Sequence, residues 1–142
     1  MKKVMNVWYG TGENAWLSNL APRQLADQHG RSYVSVEHAY QTYKSGRFDQ
    51  ATYSANWAAR RKIAGKLGTK TENGWNIRLM ERLVLASVEQ DLRFRDRLAL
   101  LPLDVEFTHT QDRRIWRTEF PRILKMAHRH AHDLYVEEMF AA

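Results

Sequence analysis

A chain of 142 residues, 44% hydrophobic and 11% aromatic, has the length of one domain around one core and is too apolar to remain unfolded. Its net charge of +6 and isoelectric point near 9.8 favour anionic partners, either nucleic acid or phosphorylated small molecules. The absence of cysteine excludes disulfides, thiolate catalysis and cysteine-ligated zinc. No stretch approaches the roughly 18 apolar residues of a membrane span, and polar Asn6 follows Met1-Lys2-Lys3-Val4-Met5 too soon for a signal peptide. The expectation is a cytoplasmic protein with no membrane partner.

Taken in chain order, the β-rich run Val4 to Tyr9 predicts a short strand that enters the turn-like Gly10-Thr11-Gly12-Glu13-Asn14. Ala15 to Pro22 is mixed, and Gln28 to Ser32 reads as a hairpin or loop before a short Tyr33-Val34 strand. Ser35 is an N-cap for a helix that begins at Val36 and stops near Ser45-Gly46, where glycine takes the left-handed conformation. Phe48 to Leu67 predicts a basic second helix, with Arg60-Arg61-Lys62, closed by Gly68. After Asn73-Gly74, the residues Trp75, Ile77, Met80, Val84 and Val88 mark an apolar helical face to about Leu92. A helical piece through Leu98 to Leu100 ends at Pro102, and Val105 to His109 predicts a strand. A loop from Thr110 to Glu119 precedes a closing helix, with Pro121 in its first turn and Ile123, Met126, Ala127 and Ala131 on one face. With no repeat and no linker, the expected class is α+β: a predominantly helical single domain over residues 1–142 with one small β-sheet.

On the helix from Val36, Glu37, Gln41 and Lys44 share a stripe, a carboxylate, an amide and a cation held between buried apolar faces. A rigid carboxylate of this kind is a catalytic candidate. From residue spacing alone, Glu37 reads first as a carboxylate complementing the helix dipole, and Lys44 reads equally as a ligand-binding or a solvent-facing lysine.

Four blocks in order carry a resemblance: Asn6-Val7-Trp8-Tyr9-Gly10, Trp16 to Pro22, Val36 to Gln41 with Lys44, and His109-Thr110-Gln111-Asp112 with Trp116. Together, over roughly positions 6 to 128, they resemble the NADAR family, the YbiA-like N-glycosidases. The resemblance implies a mainly helical fold and hydrolysis of an N-glycosidic bond in a phosphorylated or ADP-ribosylated compound. The implied substrates are early pyrimidine intermediates of riboflavin synthesis or ADP-ribose on guanine bases. Glu37 matches the family's catalytic glutamate, and Trp75 and Trp116 match its pocket tryptophans. The chain departs from the pattern after Trp116: many relatives read Trp-Gly-Asp, and this sequence reads Trp116-Arg117-Thr118-Glu119. With Thr118 in the aspartate's place, Glu119 and Asp112 are the candidates for a second carboxylate.

Cleaving a ribosyl C–N bond passes through an oxocarbenium-like transition state, which needs a carboxylate near the anomeric carbon, an activated water and help for the departing base. The family match assigns the first two roles to Glu37. Gln41 would orient the water, and Lys44 with Arg113 and its neighbours would hold phosphate. Trp116, among Asp112, Arg113, Arg114 and Arg117, is the first choice for stacking on a base, with Trp75 second. Ser18, Asn19, Tyr9 and Gly10 are further substrate-binding candidates, and His109 is a candidate to line the cleft. His128 and His132 share a helix face but read as a surface pair, so no metal and no cofactor are expected. The leading expectation is therefore a cofactor-free N-glycosidase acting on a ribosyl phosphate or ADP-ribosyl small molecule, with ADP-ribosylated nucleic acid as a further partner. The alternative is a non-catalytic module that binds ADP-ribose, nucleotides or nucleic acid.

Overall fold

The computed structural model describes residues 2–9, 12–46, 48 and 74–141. The helix expected from Phe48 to Leu67, Gly68, Trp57, the pair Arg60-Arg61, Gly10 and Asn73 lie outside the described residues, Phe48 itself excepted.

Strand β1 (Val4–Asn6) pairs in parallel with β4 (Glu106–Thr108), Met5 opposite Phe107. Parallel pairing requires the intervening chain to cross over, and the closing helix of the chain, which follows β4, packs against that strand. The predicted first strand stops three residues short of Tyr9, whereas the predicted Val105 to His109 strand falls on β4. A second pair, β2 (Leu25–Ala26) and β3 (Ser32–Tyr33), is antiparallel. Its turn is closed by Asp27, whose Oδ1 accepts from the backbone of His29 at 2.9 Å and Arg31 at 3.0 Å. The small sheet expected is thus present as two separate strand pairs among the described residues, a division that strands of two or three residues do not announce in a sequence.

Helix α1 (Val36–Ser45) begins and ends where its caps dictate. Ser35 Oγ accepts from the backbone N–H of His38 at 3.1 Å, and Gly46, at φ 74°, donates to the Thr42 carbonyl at 2.7 Å. Helix α2 (Trp75–Gln90) buries Met80, Leu83, Val84 and Val88, the predicted apolar face. Asp91 interrupts it in an extended conformation and caps α3 (Leu92–Ala99) by accepting from Phe94 N–H at 3.0 Å. The closing helix α4 (Trp116–Ala141) starts earlier than expected, so Pro121 sits within its second turn. Proline there denies the Arg117 carbonyl its usual donor.

The core lies between α2, α3 and α4, with Val84, Val88, Leu98, Ile123 and Leu124 fully buried. The only buried arginine among the described residues is Arg23. Its Nη2 donates to the carbonyls of Trp16 at 3.0 Å and Ser18 at 3.2 Å, and its guanidinium lies 3.5 Å from the centre of the Phe94 ring. Burial lowers its pKa to about 9 against the upward pull of Asp91. These bonds fix the Ser18 to Leu20 turn in front of α1. Among the described residues no helix is long and apolar enough to cross a membrane.

Candidate active site

Glu37 stands in the first turn of α1, and its backbone N–H donates to the Asn19 carbonyl at 2.9 Å. The turn that Arg23 anchors therefore sits directly over the carboxylate-bearing end of the helix. Asn19 Nδ2 lies 3.1 Å from Met80 Sδ of α2, joining a third element to the same corner. One turn along α1, Gln41 Nε2 donates to Glu37 Oε1 at 2.8 Å, the contact that i, i+4 spacing allows.

Facing α1 is the segment after β4. Asn6 Oδ1 accepts from Thr108 Oγ1 at 2.8 Å and from Thr110 N–H at 3.0 Å, and Asn6 Nδ2 donates to Gln111 Oε1 at 2.7 Å. One side chain of β1 thereby holds residues 108–111. Next, Asp112 receives Arg114 in a fork: Nε to Oδ1 at 3.2 Å, Nη2 to Oδ2 at 2.9 Å, with Arg114 backbone N–H on Oδ1 at 2.8 Å. Fork geometry of this kind is the strong form of carboxylate–guanidinium pairing.

Between these walls lies a cavity of about 440 Å³, within the range of small-molecule sites. It is lined by Glu37, Gln41 and Lys44 from α1, by Ser18 and Asn19, by Tyr9, and by Asp112, Arg113 and Trp116. These are sequence-predicted site residues brought together from four segments. His109, expected in the cleft, also lines it.

Two predicted residues are placed elsewhere. The carboxylate of Glu119 accepts from Arg122 Nε at 2.6 Å, and Arg122 Nη2 also donates to Glu81 Oε1 at 2.5 Å. Because α4 already begins at Trp116, Glu119 is turned along the outer helix surface instead of into a loop. Trp75, at the start of α2, is 41% exposed and is not part of the cavity wall. The pair His128 and His132 also differs from expectation. His128 is fully buried and bonds the Leu101 carbonyl at 3.1 Å through Nε2.

Sequence reasoning missed Trp8, Tyr40, Met80, Gln111 and Phe120 as wall residues, whereas Arg114, a neighbour of Arg113 expected to help hold phosphate, does line the cavity. The Asp112–Arg114 fork had a local signal, since an aspartate readily accepts from the backbone N–H two residues on. The others had none, because the walls are made by elements far apart in sequence. Trp116 meets Tyr40 edge to face at 5.9 Å, and Lys44 Nζ lies 5.4 Å from the centre of the Tyr40 ring.

The two cavity carboxylates are driven in opposite directions. Burial pushes Glu37 up from the usual carboxylate range, reinforced by the negative charge of Asp112 and opposed by the Gln41 hydrogen bond, Arg114 and Lys44. Burial also acts upward on Asp112, but the Arg114 side-chain and backbone hydrogen bonds, the Arg114 charge and His109 outweigh it and hold Asp112 low. One carboxylate raised by burial and one kept ionised thus line the same cavity. Among the described residues no group of three or more histidines and acidic residues is placed to hold a metal ion.

Neither a protein-family model nor a curated protein sequence matches the chain. Among solved structures it is similar to the NMR structure of the E. coli protein YbiA, with a TM-score of 0.64 and 19% identity over 98% of this chain and 89% of that one. That likeness agrees with the α+β class and helical predominance read from the sequence, and shows that the chain has a YbiA-like fold.

Proposed function

We propose that the protein is an N-glycosidase that hydrolyses the bond between a base or amine and the ribosyl group of a ribosyl phosphate or ADP-ribosyl compound. The observation that carries this reading is the pairing on one cavity of Glu37, raised by burial, with Asp112, held ionised by Arg114. Glu37 takes a proton from the attacking water, and the charge of Asp112 favours the cationic transition state. Trp116, which lines the cavity beside Tyr40, stacks on a planar base, while Lys44 and Arg113 supply cations for phosphate. The YbiA-like fold and the four sequence blocks support the same class of reaction.

The test is release of free base or amine from a panel of ADP-ribosylated guanosine, NAD and ribosylamino-pyrimidine phosphates. Wild type is expected to turn over at least one, and Glu37→Gln to lose roughly 10²- to 10⁴-fold in rate, the usual contribution of a proton-transfer group. Full activity in Glu37→Gln removes that residue from the mechanism.

A second reading, a nucleotide or nucleic-acid binding module, is favoured by the net charge of +6 and by the position of Glu119 outside the cavity. Tight duplex DNA binding with a steep salt dependence, and no turnover across the panel, would select it.

A further inference from the structure

We propose that His109 is the acid that protonates the departing base, a role that rests on the N-glycosidase reading and adds a second proton-transfer group to it. Residue 109 leaves the end of β4 at a point fixed by β1, because Val7 N–H donates to the Thr108 carbonyl at 2.9 Å. The His109 ring turns back onto the same residue, with Nδ1 2.8 Å from the Val7 carbonyl oxygen. A carbonyl only accepts, so Nδ1 carries the hydrogen and Nε2 is the atom left to exchange a proton.

The ring is held on two sides. Phe120 of α4 packs against it edge to face at 5.1 Å, and Trp8 lies 6.3 Å away at a tilt of 44°. Nε2 is 3.6 Å from Asp112 Oδ2. At that separation the carboxylate does not take the Nε2–H as a hydrogen bond, so a ligand atom in the cavity can compete for it. The other charged or titratable groups on the cavity are Arg113 and Arg114 from the same loop, Glu37, Tyr40 and Lys44 from α1, and Tyr9 after β1. Arg114 is already committed to Asp112 by its fork.

The resulting step is balanced. Water oxygen bonds to the anomeric carbon and gives a proton to Glu37, while the C–N bond breaks with its electron pair going to the base nitrogen. The Nε2 proton of His109 goes to that nitrogen. Neutral His109, still bonded to Val7 through Nδ1, then regains a proton from Glu37 by way of solvent. The roles are complementary: Glu37 must start ionised and His109 must start protonated, so activity falls on both the acid and the alkaline side.

The test uses His109→Asn, whose amide N–H can replace Nδ1 on the Val7 carbonyl but which transfers no proton, with His109→Gln as the variant placing an amide nearer Nε2. Expected for both is a fall in kcat of about 100-fold or more, loss of the alkaline limb of the pH profile, and ADP-ribose affinity by calorimetry close to that of wild type. Retention of kcat or of the alkaline limb in both variants overturns the proposal, as does a loss of rate matched by an equal loss of ADP-ribose affinity. An inactive Glu37→Gln beside active His109 variants removes His109 alone. A wild type that cleaves no member of the panel removes the N-glycosidase reading and this role together.

Discussion

Gln41 donates from Nε2 to Oε1 of Glu37 at 2.8 Å, while its own Oε1 is buried with no hydrogen-bond partner among the described residues. The amide is therefore spent on one side and open on the other, with its buried acceptor on a residue that lines the cavity. An unsatisfied buried acceptor costs about 1 to 3 kcal/mol, and a bound hydroxyl or amine would relieve it. Asn19 Oδ1 is in the same condition and also belongs to the cavity wall.

From this relationship, Gln41→Leu is expected to move the acid limb of the rate profile to higher pH. The Gln41 hydrogen bond favours ionised Glu37, so its removal raises the carboxyl further and leaves less of it ionised at any acidic pH. A limb that stays in place, measured on whichever substrate wild type accepts, would show that Glu37 does not set it. Affinity is also expected to fall, since the open acceptor disappears.

Asp112→Asn and Arg114→Met are expected to shift Glu37 in opposite directions. The Asp112 charge raises Glu37 and the Arg114 charge lowers it, so Asp112→Asn brings the Glu37 carboxyl down and Arg114→Met sends it up. Arg114→Met also frees Asp112 to rise, because that guanidinium is what holds it low. Carbon-13 titration of the side-chain carboxyls checks this without any substrate. Shifts of the same sign in both variants would contradict the electrostatic arrangement.

Trp116→Ala and Trp75→Ala separate the two tryptophans that the sequence offered as pocket residues. Trp116 lines the cavity and Trp75 does not, so only the first substitution is expected to weaken ligand binding, by about 1 to 3 kcal/mol if a base stacks there. Calorimetry with ADP-ribose distinguishes them. Equal losses would place Trp75 at the ligand after all.

The contrast between these tryptophans shows what was legible in the sequence. Glu37, Gln41 and Lys44 were readable because a capped ten-residue helix makes their shared face a matter of arithmetic, and both caps form as Ser35 and Gly46 dictate. Asp112 and Trp116 were reached through motif order. A helix start at Pro121 would leave Glu119 in a loop, whereas α4 begins at Trp116 and carries the proline inside its second turn. Once that helix starts early, Glu119 faces Arg122. Trp8, Met80 and Phe120 come to the cavity from the segment after β1, from α2 and from α4, and long-range packing of that kind leaves no local pattern to read.

His128 makes a stability prediction of its own. It is fully buried on α4, with Nε2 on the Leu101 carbonyl at 3.1 Å and Nδ1 buried without a hydrogen-bond partner among the described residues. Burial lowers its pKa from 6.5, with the charges of Lys125 and His132 acting the same way and the Leu101 bond acting against them. A base with a depressed value in the folded state stays neutral there while the unfolded chain already takes up protons. Its contribution to stability is therefore fully present above about 6.5 and is lost as pH falls through the lowered value. His128→Gln keeps a donor for the Leu101 carbonyl and does not titrate, so its Tm is expected to fall less between pH 7.5 and pH 5 than that of wild type. Parallel Tm curves for the two proteins would mean that protonation of His128 is not what acid acts on, and would move the search to the carboxylates.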